Sequence, residues 1–116
     1  MPEPVLLDAV RDLATETTSQ RFDGAAHDVD VSFFLNHTAP GRGARPHRHA
    51  YAEVFVVQEG EATFVVDGGR VVAHGGHIVV VPAGAVHAFT NSGERTLEMV
   101  SIHPVASMET EWIEEP

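Results

Sequence analysis

Pro46-His47-Arg48-His49-Ala50-Tyr51-Ala52-Glu53 is the stretch on which the fold turns. In an extended chain, side chains two apart point to one face. His47 and His49 therefore share a face, and Arg48 points away. Two imidazoles so placed can reach one ion at ~2.0–2.1 Å. Ala50-Tyr51-Ala52 is short enough to turn the chain and start the next strand at Glu53, whose carboxylate adds an oxygen ligand. A fourth ligand has to come from elsewhere in the chain. His87 follows the turn Pro82-Ala83-Gly84, and Phe89 shares its face two residues on.

Outward from this stretch the chain has the grammar of short strands. Residues 29–36 are β-branched and aromatic. Residues 38–46 read as a Gly/Pro/Arg loop. Apolar runs follow at 53–57 and 62–66, the second closed by Asp67-Gly68-Gly69, a hairpin signal. Residues 70–73 return, His74-Gly75-Gly76 turns, and further strands occupy 77–81, 86–90 and 96–103, the last stopped by Pro104. Close, even spacing with Gly-rich turns predicts an all-β sandwich or barrel. At the other end, Val5, Leu6, Ala9, Val10 and Leu13 share one helical face, so 4–14 reads as a short helix. Residues 15–28 read as polar and irregular. The tail 107–116 is acidic, with Trp112 and Ile113 as its large apolar residues.

The spacing Gly41-(5)-His47-Arg48-His49-(3)-Glu53-(6)-Gly60 resembles the first motif of the cupin superfamily at every fixed position. Gly76-(5)-Pro82-Ala83-Gly84-(2)-His87-(3)-Asn91 resembles the second. The spacer 61–75 is similar to that of the small single-domain bacterial cupins. The resemblance implies a jelly-roll β-barrel with a short N-terminal helix or extended arm, one domain over 1–116, with motif one at 41–60 and motif two at 76–91. It also implies that His47, His49, Glu53 and His87 are metal ligands, the same four that strand geometry selects. Gly41, Gly60, Gly76 and Gly84 stand where the chain reverses and φ > 0 is expected.

Composition narrows the functions. At 116 residues the chain supports one core. With no cysteine, disulfides, thiolate metal sites and thiol nucleophiles are excluded, and with no lysine, so is a side-chain Schiff base. A formal charge of −10 repels phosphate backbones, so no nucleic-acid partner is expected. No apolar run reaches the ~20 residues of a membrane span, and the start lacks a secretory pattern, so a cytoplasmic protein with no membrane partner is expected.

The remaining candidates follow from strand parity. Leu97, Met99, Ser101 and His103 share a face. If it is the cavity face, His103 can touch substrate; otherwise His103 is a core or surface histidine. Tyr51, in the turn between ligands, can meet substrate or sit at the rim. His103 and Tyr51 are the acid–base candidates. Phe55, Phe64 and Phe89 line the cavity or pack the core, and Arg45, with the parity of His47, either steers an anion to the mouth or is a solvated loop residue. Asn91 is expected to stabilise its turn. His27, His37, His74 and His77 fit no ligand spacing. Val54, Val56, Val79 and Val81 form an outward apolar set, which predicts a homodimer, with Trp112 and Ile113 packing across the contact. Three imidazoles and a carboxylate suit Fe, Mn, Zn or Ni, and also Cu. The expected function is a metal-dependent enzyme acting on a small oxygenated metabolite, of dioxygenase, isomerase or lyase type. The alternative is a non-catalytic module that binds or senses a small molecule.

Overall fold

The alternating apolar segments form strands that close on one core. A computed structural model describes residues 3–114. A short helix, α1 (Ala9–Asp12), precedes β1 (Ala14–Glu16), β2 (Ser19–Phe22) and a 3-10 turn (Gly24–His27). Then come β3 (Ser32–Thr38), β4 (Gly43–Arg48), β5 (Glu53–Glu59), β6 (Glu61–Val66), β7 (Gly69–His74), β8 (Ile78–Val81), β9 (His87–Asn91), β10 (Leu97–His103) and β11 (Glu111–Trp112). They pair antiparallel into two sheets, ordered β1-β2-β3-β10-β5-β8 and β11-β4-β9-β6-β7. Phe55, Val57, Val81, Leu97 and Met99 from the first sheet meet Ala62, Phe64, Ala73 and Phe89 from the second. No helix among the described residues is long and apolar enough to cross a membrane.

Turn chemistry matches the sequence. Asp67 and Gly68 join β6 to β7 with φ of 46° and 83°, both positive as a two-residue type I′ hairpin needs. Gly41, Gly60, Gly76 and Gly84 all have positive φ. Asn91 braces its turn by side-chain hydrogen bonds rather than by a left-handed backbone. Its Nδ2 donates to the Thr38 and Arg95 carbonyls, each at 2.8 Å, and its Oδ1 accepts from Gly93 N at 2.9 Å.

Several expectations need correction. The helix covers only Ala9–Asp12, capped by Asp8, whose Oδ1 accepts from Val10 N and Arg11 N. Val5, Leu6 and Val10 are exposed, and an isolated helix this short has no burial to sustain it. Residues 14–22 are a polar hairpin, with Thr17 in the turn at φ 55°. β4 begins inside the expected loop. Its register against β9 shifts between Ala44 and His47, so Ala44 faces Phe89 and His47 faces His87. That bulge takes up Pro46, which has no N–H for a regular ladder. It also breaks the parity of Arg45 with His47. Gly43 is required here: a Cβ would lie 1.9 Å from the Phe89 carbonyl oxygen.

Val79 and Val81 are not outward. The register pairs Glu53 with Val81 and Phe55 with Val79, and paired residues share a face. The outer apolar face of the first sheet is instead Val54, Val56, Val100 and Ile102, half-buried, with Ile78 and Val80, each 63% exposed. Trp112 and Ile113 belong to a strap along β4: Trp112 pairs with His47, and Ile113 N donates to Pro46 O at 3.1 Å.

Candidate metal centre

The bulge in β4, the turn 50–52 and the start of β9 bring four side chains together. One potential ligand atom from each of His47, His49, Glu53 and His87 lies within 4.8 Å of every other. All four are buried, at no more than 6% exposure.

Hydrogen bonds orient the three rings alike. His47 Nδ1 bonds the Arg45 carbonyl at 2.8 Å, His87 Nδ1 the Ala85 carbonyl at 2.9 Å, and His49 Nδ1 the Glu109 carbonyl at 2.7 Å. A carbonyl only accepts, so each Nδ1 carries the proton and each neutral ring keeps a lone pair on Nε2. His49 Nε2 and His87 Nε2 each lie 3.0 Å from Glu53 Oε1, which is also an acceptor. His49 Nε2 is buried and finds no hydrogen-bond partner there. Converging lone pairs around a carboxylate need a cation to reconcile them, either a proton or a metal. Three nitrogens and one oxygen suit a divalent transition metal.

Electrostatics agree. Burial pushes the Glu53 carboxyl up, but the surrounding histidines, His103 first, outweigh it and hold Glu53 well below the usual carboxylate range. Burial lowers His47. His49 is also pushed down by burial, yet Glu53 and the Glu109 carbonyl bring it above the ordinary histidine value.

His103 faces the cavity with Leu97, Met99 and Ser101, all buried. Its Nε2 lies 3.2 Å from Glu53 Oε2, and its Nδ1 2.7 Å from the Tyr51 hydroxyl. With the carboxylate accepting from Nε2–H, Nδ1 accepts from Tyr51. A continuous chain Tyr51–His103–Glu53 results. Burial, first among its influences, raises the Tyr51 pKa, so it remains a phenol near neutrality.

Phe55, Phe64 and Phe89 form an aromatic cluster beneath the site. Phe64 is 0% exposed, its centroid 4.9 Å from Phe55, whose edge meets His87 at 6.0 Å. Arg45 is exposed, and its guanidinium lies 4.7 Å from the Trp112 ring. His27, His74 and His77 are exposed, while His37 is half-buried and bonded to Glu98 and Gln20. The strap is the part of the site that sequence missed: Glu109 supplies a carbonyl to His49, and Trp112 lies 5.0 Å from the His47 ring. A backbone carbonyl leaves no side-chain signal.

A family model described as the cupin domain matches residues 34–103. The chain belongs to the cupin family. No curated protein sequence matches this cupin. Among solved structures it is similar to an oxalate oxidase, with TM-score 0.76 and 21% identity over 93% of this chain and 63% of that one. A double-stranded β-helix protein from Klebsiella pneumoniae gives TM-score 0.76 and 19% identity over 97% of this chain and 100% of that one. The Bacillus subtilis oxalate decarboxylase, which has Mn(II) centres, gives TM-score 0.79 and 18% identity over 90% of this chain and 31% of that one. This cupin thus spans less than two-thirds of the oxidase and about a third of the decarboxylase, and at such identities the likeness is one of fold.

Proposed function

We propose that this cupin is a divalent-metal enzyme acting on a small oxygenated molecule, with Tyr51 and His103 as its proton-handling pair. The observation that carries the proposal is the hydrogen-bonded line from the half-buried Tyr51 hydroxyl through His103 to Glu53, which is itself one of the four candidate ligands. A bound metal would supply Lewis acidity or an oxygen-activating centre. The chain's own residues would do the rest. Tyr51 donates to or accepts from a substrate oxygen at the rim, His103 passes the proton, and Glu53 holds His103 in the Nε2–H tautomer. The oxalate-converting enzymes that share the fold make small carboxylic and keto acids the first substrates to test, with catechols and diketones beside them.

The test is turnover after loading with Mn(II) or Fe(II), followed as oxygen uptake and carbon dioxide release. Tyr51→Phe is expected to lower kcat about 10²–10⁴-fold, the usual worth of a proton-transfer group, while leaving metal affinity within about threefold. Activity that survives His47→Ala would refute a metal-centred reaction. The site's closure favours a second reading, a module that holds a ligand without converting it. Tight retention of a small acid by metal-loaded protein that turns over no substrate would establish it.

We also propose that two copies pair through the outer face of the first sheet, because Ile78 and Val80 beside Val54 and Ile102 form a continuous apolar strip. Light scattering should give twice the mass of one chain, and Val80→Asp should give the single-chain mass with the fold unchanged. A wild-type protein of single-chain mass at high micromolar concentration would exclude the pairing.

A further inference from the structure

His47 and His87 each bond the carbonyl two residues earlier in their own segment. His49 instead takes its partner from sixty residues downstream, the carbonyl of Glu109. The strap that carries this carbonyl touches the other β4 ligand as well, since Trp112 pairs with His47 in register and its ring lies 5.0 Å away. The Ile113 N to Pro46 O hydrogen bond and the Arg45 guanidinium against the Trp112 ring also hold the strap. β11 is two residues long on the edge of its sheet, and the Arg48–Glu111 ion pair beside it is exposed. Glu53 and His87 are braced without it, by His103 and the Ala85 carbonyl.

We propose that the strap Glu109–Ile113 is a positioning element of the metal centre, an inference that rests on the metal-binding reading. Its Glu109 carbonyl keeps the proton of His49 on Nδ1 and the free Nε2 aimed at Glu53, and Trp112 seats His47. A ring fixed by such a partner is a stronger and better-aimed ligand than one free to rotate. Coupling of this kind is reciprocal: a docked strap tightens metal binding, and bound metal tightens the docked strap by the same factor.

Trp112 is the sole tryptophan of the chain, so all tryptophan emission arises from the strap where it meets His47. Zn(II), which does not quench as a paramagnetic ion would, is titrated into the full chain against a competing chelator. Saturation is expected to shift Trp112 emission and to slow hydrogen exchange at the Ile113 amide. A chain ending after Ser107 should bind Zn(II) about 10–100-fold more weakly, the usual effect of losing an outer partner of a ligand. Should that chain fold poorly, Glu111→Arg sets like charges against Arg48. It should weaken Zn(II) binding about threefold, and the double exchange Arg48→Glu/Glu111→Arg should restore it. Far-UV circular dichroism of the metal-free variants should match that of the full chain. Equal Zn(II) affinity with and without the strap, or Trp112 emission unmoved at saturation, would overturn the proposal. Failure of the full chain to bind Zn(II) at all would sink the metal centre and the coupling with it, a different failure from strap-independent binding.

Discussion

Glu53→Gln is expected to weaken divalent-metal binding more than about 100-fold while costing the metal-free protein little. The change keeps the volume of the buried side chain and removes only its charge. Loss of a mere outer partner already costs 10–100-fold, so a neutral amide in place of a carboxylate ligand should cost more. In the metal-free protein the amide still accepts from His103 and donates to the His87 lone pair, the two groups now at 3.2 Å and 3.0 Å from Glu53. Glu53→Ala removes both partners and leaves buried polar rings unpaired, which should cost about 3–5 kcal/mol. Calorimetric titration with Zn(II) and Mn(II), beside urea denaturation of the metal-free forms, separates the two roles. Comparable metal affinity in Glu53→Gln and the wild type would show that the carboxylate is not a ligand. The same substitution fixes a pH signature. Glu53 is held below its ordinary value near 4.5, so the stability it contributes is fully present above that pH. That contribution is lost as pH falls through the depressed folded value. Acid denaturation of Glu53→Gln should lack this part of the pH dependence.

The cluster of four candidate ligands was legible in the sequence because strand parity and fixed spacing act on side chains. His47 and His49 two apart, Glu53 after a three-residue turn and His87 after Pro82-Ala83-Gly84 need no knowledge of the whole fold. Parity also grouped His103 with Leu97, Met99 and Ser101 on one face of β10, but it left open whether that face met the cavity. What parity cannot see is a change of register. The bulge at Pro46 detached Arg45 from His47. The pairing of Glu53 with Val81 turned Val79 and Val81 inward and left Ile78 and Val80 outside. The hairpin 14–22 escaped because both its strands lie toward one edge of a sheet and carry polar residues, so they lack the apolar signature of a core strand. The strap escaped for another reason: its contribution to His49 is a main-chain carbonyl, which any residue at position 109 would supply.

Phe64→Ala is expected to cost about 3–5 kcal/mol, the usual range for a buried phenylalanine. Such a loss is a large part of the ~5–15 kcal/mol that holds a small domain together, so the thermal midpoint should fall by at least 10 °C. Phe64 is fully buried, with its ring 4.9 Å from Phe55 and 5.8 Å from Phe89, so truncation opens a cavity between two aromatic neighbours. Val72→Ala, on the exposed side of β7, removes apolar atoms of little burial and should change stability by less than about 0.5 kcal/mol. Phe64 makes no ring contact with the four candidate ligands and meets Phe55, whose ring centroid lies 6.0 Å from that of His87, so metal affinity measured well below the midpoint should change less than tenfold. Metal then opposes the mutation by mass action. At a free concentration one hundred times Kd it stabilises the folded state by about 2.7 kcal/mol, enough to recover most of the loss. A Phe64→Ala midpoint within 3 °C of wild type would mean that the aromatic cluster does not support the barrel. A midpoint that metal fails to raise would mean that the folded variant no longer binds it, and that the floor beneath His87 is part of the centre.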